Sequence, residues 1–225
     1  MNTDMKKRIA IIGGIGSGKS VVSQILRVMG FPVYDCDAEA KRLMDNSQKI
    51  KSRIVDAFGE ESLLNGQLNR PYLATMVFGY PENLKKLNGI VHPEVHADFE
   101  QWVAECNAGA VFVETAILFE SGMDAFVDEI WLVDAPEDIR VARVVKRNGL
   151  PVEQVQARIR SQKIIAETRL PLFRIDNSGK VSLLPQIDEL IAKDNLTIEL
   201  LRQSYKLQYH QEKRLYHASM PEHVS

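Results

Sequence analysis

The chain has 225 residues, of which 45% are hydrophobic and 26% charged, so it is neither disordered nor fibrous, and its length favours one domain with insertions over residues 1–225. Lys and Arg total 28 against 30 Asp and Glu, and the resulting net charge of -2 gives no general attraction for nucleic acid or an anionic membrane. The polar N-terminus and the two cysteines, Cys36 and Cys106, favour a cytoplasmic protein without signal peptide, membrane span or disulfide framework. We expect a monomer or small homo-oligomer.

Five short apolar runs predict the buried strands of a parallel sheet. They are rich in Ile, Val and Phe and alternate little, which is typical of strands covered on both faces. The runs are Arg8–Ile12, Phe31–Tyr34, Ala110–Thr115, Glu129–Val133 and Leu172–Ile175. Helical patterns lie between them, and the first, Lys19–Met29, stops at Gly30. Strands that alternate with helices predict an α/β fold with right-handed crossovers.

Two connections between the predicted strands are longer than simple crossovers. Residues 38–109 read mostly as helix, with Asn65-Gly66 as a tight turn and Pro93 as the first residue of a helix. Residues 140–174 carry nine Lys or Arg against two Glu, a net charge of +7 that leaves the rest of the chain at −9. A basic segment in an acidic chain is suited to binding anions, and a solvated helix face is the alternative.

Residues 13–20, Gly-Gly-Ile-Gly-Ser-Gly-Lys-Ser, fit the Walker A pattern of a phosphate-binding loop. They follow a predicted strand and open a predicted helix, which is the context that the motif requires. The glycines let backbone N–H groups turn onto phosphate oxygens, and the helix start adds its unpaired amides. Lys19 can reach the β- and γ-phosphates, and the Ser20 hydroxyl can bind Mg²⁺. The motif predicts a nucleoside triphosphate site, with a structural Gly-rich turn as the weaker alternative.

Two carboxylates, Asp35 and Asp37, follow the second predicted strand, and ligands of parallel α/β sheets bind at such strand ends. Phosphoryl transfer to an alcohol needs a group that orients the hydroxyl and accepts its proton. At least one of the two carboxylates should therefore face the loop. The structural alternative is that Asp37 caps a helix over residues 38–44. We expect Cys36 to be a small buried residue rather than a nucleophile.

With these features the chain resembles the dephospho-coenzyme A kinase family over about residues 8–180. The order and spacing of several short motifs behind the Walker A loop carry the resemblance. These motifs are Asp35-Cys36-Asp37, Leu68-Asn69-Arg70 before Val77-Phe78, His92-Pro93, Leu118-Phe119-Glu120, Arg158 with Gln162, Arg169, and Ile175-Asp176-Asn177-Ser178-Gly179. The chain departs from the family at Ala116, where proline is common, and this makes the local backbone less certain.

The resemblance implies ATP-dependent phosphorylation of the ribose 3′-hydroxyl of dephospho-CoA, giving coenzyme A, with Mg²⁺ as cofactor. It implies a P-loop NTP hydrolase fold similar to nucleoside monophosphate kinases, with a five-stranded parallel sheet between helices. Residues 38–109 would be a helical acceptor-binding insertion and residues 140–169 a lid. Asp37 inherits the role of base for the 3′-hydroxyl, and Asp35 would position it or contact Mg²⁺ through water.

The predicted site residues fall into three groups. The ATP-binding group is Gly14, Ile15, Gly16, Ser17, Gly18, Lys19, Ser20, Val21 and Asn177, with Ser20 as the metal ligand. The acceptor-binding group is Asp35, Arg70, His92, Leu118 and Glu120. The catalytic group is Lys19, Asp37, Arg143 and Arg158, where Arg143 would contact adenine or phosphate and Arg158 would belong to the lid.

Several of these residues have a structural alternative. Arg70 could form a surface ion pair. Glu114 and Asp134 occupy the strand position of a Walker B acid, but we expect ordinary strand-end residues there. His92 and His96 are four residues apart, as metal ligands on a helix can be, and the lack of a nearby third ligand argues against zinc.

Two other functions compete with the one that the resemblance implies. One is another small-molecule kinase on the same scaffold, of the shikimate or nucleotide type. The other is a non-catalytic ATP-binding module that docks a partner through the amphipathic tail after Asp194, which reads as a terminal helix. The Asp37 carboxylate and the basic segment favour catalysis, because a binding module needs neither.

Overall fold

Five parallel strands form the central sheet of the computed structural model, which describes residues 6–162, 164, 168–194 and 196. The described residues also contain two strands outside this sheet. In chain order all of the described strands are β1 (Lys7–Ile12), β2 (Val33–Asp35), β3 (Leu63–Leu64), β4 (Gln67–Leu68), β5 (Ala110–Glu114), β6 (Glu129–Asp134) and β7 (Leu172–Asp176). The order across the central sheet is β2-β5-β1-β6-β7, and β3 and β4 form a separate antiparallel hairpin. The prediction of a five-stranded parallel α/β sheet is confirmed.

Helices cover both faces of this sheet. They are α1 (Lys19–Val28), α2 (Cys36–Asn46), α3 (Gln48–Phe58), α4 (Arg70–Val77), α5 (Pro81–Glu105), α6 (Glu137–Asn148), α7 (Val152–Ser161) and α8 (Leu183–Lys193), with 3₁₀ turns at Glu60–Ser62 and Met123–Phe126. In β1, Ile9 and Ile11 pack toward α1 and α8, whereas Ala10 and Ile12 pack toward α5. Because both faces are buried, β1 reads as a continuous apolar run rather than as an alternating pattern.

The predicted strands match the observed ones to within two residues at each end. The largest difference is in β2, which begins at Val33 rather than Phe31. Pro32 has no N–H to donate, and only its carbonyl joins the ladder, by accepting from the Phe112 N–H at 2.9 Å. Helix α1 begins at Lys19 as predicted and ends one residue before Met29.

Between β2 and β5 the chain forms α2 to α5 with a small core of their own, in which Ile50, Ile54 and Phe58 of α3 pack with Leu73 and Ile90. The predicted Asn65-Gly66 turn is confirmed, because it joins β3 to β4 with φ of 51° and 74°. The acceptor-binding role of residues 38–109 stays a prediction. So does the lid role of residues 140–169, of which residues 163 and 165–167 lie outside the described ones.

The prediction that Pro93 opens a helix is wrong, because α5 runs through it from Pro81 to Glu105. A proline inside a helix removes one hydrogen bond and crowds the carbonyl four residues earlier, which here belongs to Gly89. The buried face of α5, with Val91, Val95 and Phe99, offsets that penalty.

The predicted terminal helix after Asp194 lies outside the described residues, apart from Leu196. In the part of the chain that is described, every helix is too short or too polar to span a lipid bilayer.

Candidate active site

The Walker A loop leaves the carboxyl end of β1, the central strand, and leads directly into α1 at Lys19. Gly18 stands before the helix with φ of 99°, a left-handed conformation that glycine adopts without strain. A side chain there would also collide with Asn177, since a Cβ atom would lie 2.0 Å from its Nδ2. The glycine of the motif is therefore needed for both the turn and the packing around it.

The two polar side chains at the start of α1 face the same space. Lys19 Nζ donates to the Gly13 carbonyl at 2.9 Å, and Ser20 Oγ donates to Glu114 Oε1 at 2.8 Å. Burial lowers the pKa of Lys19, and the carboxylates of Glu114 and Asp37 oppose this effect. A bound phosphate would act in the same direction as those carboxylates and favour the ammonium form.

A cavity of about 520 Å³ lies over the loop and is called the phosphate-loop cavity below. It is lined by Gly14, Ile15, Gly16, Gly18, Lys19, Ser20, Val21, Asp37, Glu114, Thr115, Ala116, Arg143, Val144, Arg147, Gln162 and Asn177. The predicted ATP-binding residues are therefore brought together, except that the Ser17 side chain is buried behind the loop.

Side chains from distant segments hold the outer side of the loop. Arg143 Nη1 lies 3.4 Å from the Gly16 carbonyl and 3.3 Å from the Ser17 carbonyl, and its Nη2 donates to the Asn177 carbonyl at 2.8 Å. Asn177 Nδ2 donates to the Ser17 carbonyl at 2.7 Å, and Gln162 Oε1 accepts from the Ile15 N–H at 2.8 Å. Arg143 and Asn177 thus contact the loop backbone as well as lining the cavity.

The two predicted carboxylates occupy different positions. Asp35 Oδ1 accepts from the N–H groups of Asp37 and Ala38, both at 3.0 Å, and so caps α2, which begins at Cys36. The alternative in which Asp37 caps a helix over 38–44 is wrong, because Asp35 already provides the cap. Asp37 is exposed and lines the phosphate-loop cavity, whereas Asp35 is absent from that lining.

A second cavity, of about 210 Å³, lies beside the first and is called the apolar cavity. Its lining is mainly apolar and comes from α2, α5 and the segment after β5. It consists of Cys36, Asp37, Ala40, Met44, Leu87, Asn88, Val91, His92, Val95, His96, Thr115, Ile117, Ser121 and Met123. Asp37 and Thr115 line both cavities, so they mark the place where the two meet.

Burial disfavours the charged forms of one cysteine and two histidines that line the apolar cavity. Burial and the charges of Asp37 and Asp35 raise the pKa of Cys36 to about 12, so its thiol stays protonated. This agrees with the expectation of a buried residue rather than a nucleophile. Burial lowers the pKa of His92 and of His96, and the nearby His96 lowers that of His92 further.

Several predicted site residues lie away from both cavities. Arg70 forms an exposed ion pair with Asp45 at 2.8 Å, and Leu118 is buried in the main core. Arg158 is exposed on α7, outside both linings. Glu120 lines a shallow groove on the outer side of α5, which it shares with His92. Among the described residues that line the apolar cavity, His92 is thus the only one that was predicted to bind the acceptor.

The expectation that Glu114 is an ordinary strand-end residue is wrong. It is buried at the end of β5, lines the phosphate-loop cavity and accepts the Ser20 hydroxyl. This position follows from the sheet order, since β5 lies between β1 and β2 and so brings Glu114 to the same cavity as Ser20 and Asp37. Asp134 does match the expectation, since it is exposed beside Arg174.

A family model described as dephospho-CoA kinase matches residues 7–182. A Bacteroides fragilis protein named Dephospho-CoA kinase is 44% identical over 84% of this chain and 93% of its own length. A Staphylococcus aureus protein of the same name is 36% identical over 84% of this chain and 94% of its own.

Solved structures with similar chains agree with these matches. TT1252 from Thermus thermophilus aligns with a TM-score of 0.72 and 36% identity over 84% of this chain and 97% of its own. A dephospho-CoA kinase from Campylobacter jejuni aligns with a TM-score of 0.58 and 25% identity over 85% of this chain and 100% of its own.

Proposed function

The chain belongs to the dephospho-CoA kinase family, and from that membership we propose that it transfers the γ-phosphoryl group of ATP to the ribose 3′-hydroxyl of dephospho-CoA. The products are coenzyme A and ADP. The position of Asp37 carries this proposal, because its carboxylate lies where the phosphate-loop cavity meets the apolar cavity. A hydroxyl presented from the apolar side would meet the carboxylate and the end of a bound triphosphate together.

The loop and the start of α1 bind the triphosphate. The inward amides and the positive end of the helix attract the phosphate oxygens. Lys19 exchanges its contact with the Gly13 carbonyl for the β- and γ-phosphates, where its charge stabilises the transition state. Arg143 holds the loop carbonyls outward and so keeps the amides directed into the cavity.

Ser20 and Glu114 fit a magnesium ion. Their oxygen atoms lie 2.8 Å apart on the cavity wall, and Mg²⁺ prefers oxygen ligands while keeping several of its waters. When bound with ATP, the ion neutralises charge on the β- and γ-phosphates. Ser20 would bind it directly, and Glu114 would orient Ser20 or a bound water.

Asp37 acts as the base. Among the described residues its carboxylate has no hydrogen-bonded side-chain partner, so it is free to accept from the hydroxyl of the acceptor. The 3′-oxygen forms its bond to the γ-phosphorus as the bond to the bridging β–γ oxygen breaks, and the hydroxyl proton passes to Asp37. Asp35 positions Asp37 by capping the first turn of α2.

Two further groups complete the arrangement. Arg147 lines the phosphate-loop cavity without an ion pair to any described carboxylate, so its charge is available to the transferred group. The apolar cavity is suited to the flat nucleobase of the acceptor, with Asn88 and His92 among its polar groups. The net charge of -2 and the two free cysteines support a cytoplasmic enzyme that acts on small molecules.

Mass spectrometry of the products tests this function. The purified full chain, incubated with Mg-ATP and dephospho-CoA, should add one phosphoryl group and yield a product that co-elutes with coenzyme A. An acceptor whose ribose lacks the 3′-hydroxyl, and coenzyme A itself, should remain unchanged. Faster phosphorylation of shikimate or AMP would favour the other kinase functions, and binding of ATP without transfer to any acceptor would favour a binding module.

A further inference from the structure

Arg140 is a buried cation behind the Walker A loop. It lies in the first turn of α6 and is 8% exposed. Its Nε donates to the Ile15 carbonyl at 3.0 Å, and its Nη2 is buried without a hydrogen-bond partner among the described residues. Unlike Arg143 and Arg147, it is absent from the lining of the phosphate-loop cavity.

The glycines of the loop allow this close approach. A Cβ atom on Gly14 would lie 2.1 Å from Arg140 Nη2, and one on Gly16 would lie 2.5 Å from the Arg140 carbonyl oxygen. Helix α6 therefore presses directly on the outer side of the loop, and the guanidinium is separated from the cavity by little more than the Gly14 backbone, which does line the cavity.

Among the described residues, no acidic group offsets the charge of Arg140 in the protein without its substrates. No described carboxylate forms an ion pair with Arg140, and the start of a helix repels cations. Arg140 instead lies near another cation, Lys19, and its positive charge lowers the pKa of that lysine. The charge of Arg147 lowers the pKa of Lys19 as well. A buried charge without a counter-charge destabilises a fold, so a buried cation for which the described residues supply no counter-charge calls for a functional explanation.

We infer that Arg140 is a positioning residue of the donor site. Its hydrogen bond turns the Ile15 carbonyl away from the cavity, and its buried charge beside Gly14 raises the affinity of the loop for polyphosphate. The counter-charge is then the bound nucleotide itself. This role rests on the proposed function for the identity of the donor, but it can be measured without any acceptor.

The role predicts an effect that depends on phosphate and not on adenine. Arg140→Met removes both the charge and the hydrogen bond, and it should weaken the binding of ADP and of pyrophosphate by about tenfold or more, the scale of one charge-assisted hydrogen bond. Adenosine should bind as it does to the wild type. Arg140→Lys, which keeps the charge, should recover part of the lost affinity, and Arg140→Gln, which keeps only a donor, should recover less.

Isothermal titration of ADP, pyrophosphate and adenosine tests the assignment. Arg27→Met is the matched control, since the Arg27 guanidinium donates to the Val33 carbonyl on the exposed end of α1, away from both cavities. In steady-state assays the KM for ATP should rise with the loss of ADP affinity, while the KM for dephospho-CoA stays within about twofold.

Unchanged pyrophosphate affinity in Arg140→Met, or an equal loss for adenosine, would show that Arg140 merely supports the fold. If Arg140→Met does not fold, the same comparison between Arg140→Gln and Arg140→Lys decides, because equal affinities for pyrophosphate would remove the charge from the explanation. A wild type that binds ADP but never phosphorylates dephospho-CoA would refute the proposed function and leave the Arg140 titrations interpretable.

Discussion

The phosphate-loop cavity is lined largely by polar groups that hydrogen bonds hold in place, whereas the apolar cavity beside it is lined mainly by apolar side chains. Both contain Asp37, yet they are built differently. Backbone amides recognise phosphate only when the loop is rigid, so Arg143, Gln162 and Asn177 fix its outer side. Shape complementarity and burial, by contrast, suffice to bind the nucleobase of the acceptor in the apolar cavity. Substitutions in the phosphate-loop cavity should therefore act mainly through the charge they remove. Substitutions in the apolar cavity should act mainly through the side-chain volume they add.

The largest effect is expected for Lys19→Ala, which removes the ammonium from the phosphate-loop cavity. Turnover should fall by about a thousandfold or more, because the charge acts on the transferred group. Circular dichroism should show an unchanged fold. Lys49→Met on the exposed side of α3 is the control. A collapsed fold in Lys19→Ala would instead make Lys19 a structural residue.

Asp37→Asn tests the group that the two cavities share. The amide cannot accept the hydroxyl proton, so kcat should fall by at least about a hundredfold while ADP affinity is retained. Asp35→Asn provides a matched control, since asparagine caps helices as well as aspartate does and should leave most of the activity. Turnover near that of the wild type in Asp37→Asn would remove this residue from the mechanism.

Glu114→Gln should act on the metal and not on the acceptor. The variant keeps an oxygen for the Ser20 hydroxyl but loses the negative charge, so the Mg²⁺ concentration for half-maximal activity should rise about tenfold. Asp134→Asn, at the exposed end of β6, should not change the Mg²⁺ requirement. An unchanged requirement in Glu114→Gln would exclude Glu114 from the metal site.

Ala40→Leu tests the apolar cavity, because the added side chain would occupy space next to Met44 and His92. The KM for dephospho-CoA should rise by about tenfold with little change in ADP affinity, as expected for a pocket that selects by volume. Ala74→Leu, exposed on α4, controls for the added bulk. An equal loss of ADP affinity would show that the two cavities are not independent.

The smallest effect concerns stability at acidic pH. The pKa values of His92 and His96 are lowered from 6.5, so the unfolded chain takes up protons that the folded chain does not. The free energy of unfolding should fall as the pH drops below 6.5. His96→Gln removes one titrating group, and its Tm should fall less than that of the wild type between about pH 7 and pH 5, by about 2 °C. Identical Tm profiles would mean that His96 contributes nothing to this dependence.

The features that could be predicted from the sequence are those formed by residues that are adjacent in the chain. The Walker A loop is one such feature, because its glycines, Lys19 and Ser20 are adjacent in the chain and predict a phosphate site without knowledge of what packs around them. The five strands are another case, because burial on both faces leaves an apolar run that is legible in each strand by itself. The Asn65-Gly66 turn follows from local backbone preferences in the same way.

Tertiary structure decided everything that depends on which segments become neighbours. Glu114 reaches Ser20 because β5 pairs with β1, and Arg140 reaches Gly14 because α6 folds back onto the loop; neither contact leaves a pattern in the local sequence. Proline favours the first turn of a helix, and this local preference predicts a helix that begins at Pro93. The packing of α5 overrides that preference, since the helix continues through Pro93. Helix propensities span less than about 1 kcal/mol for most residues and reach about 3 kcal/mol for proline. Burial of several apolar side chains on one helix face exceeds these values, so packing prevails where the two conflict.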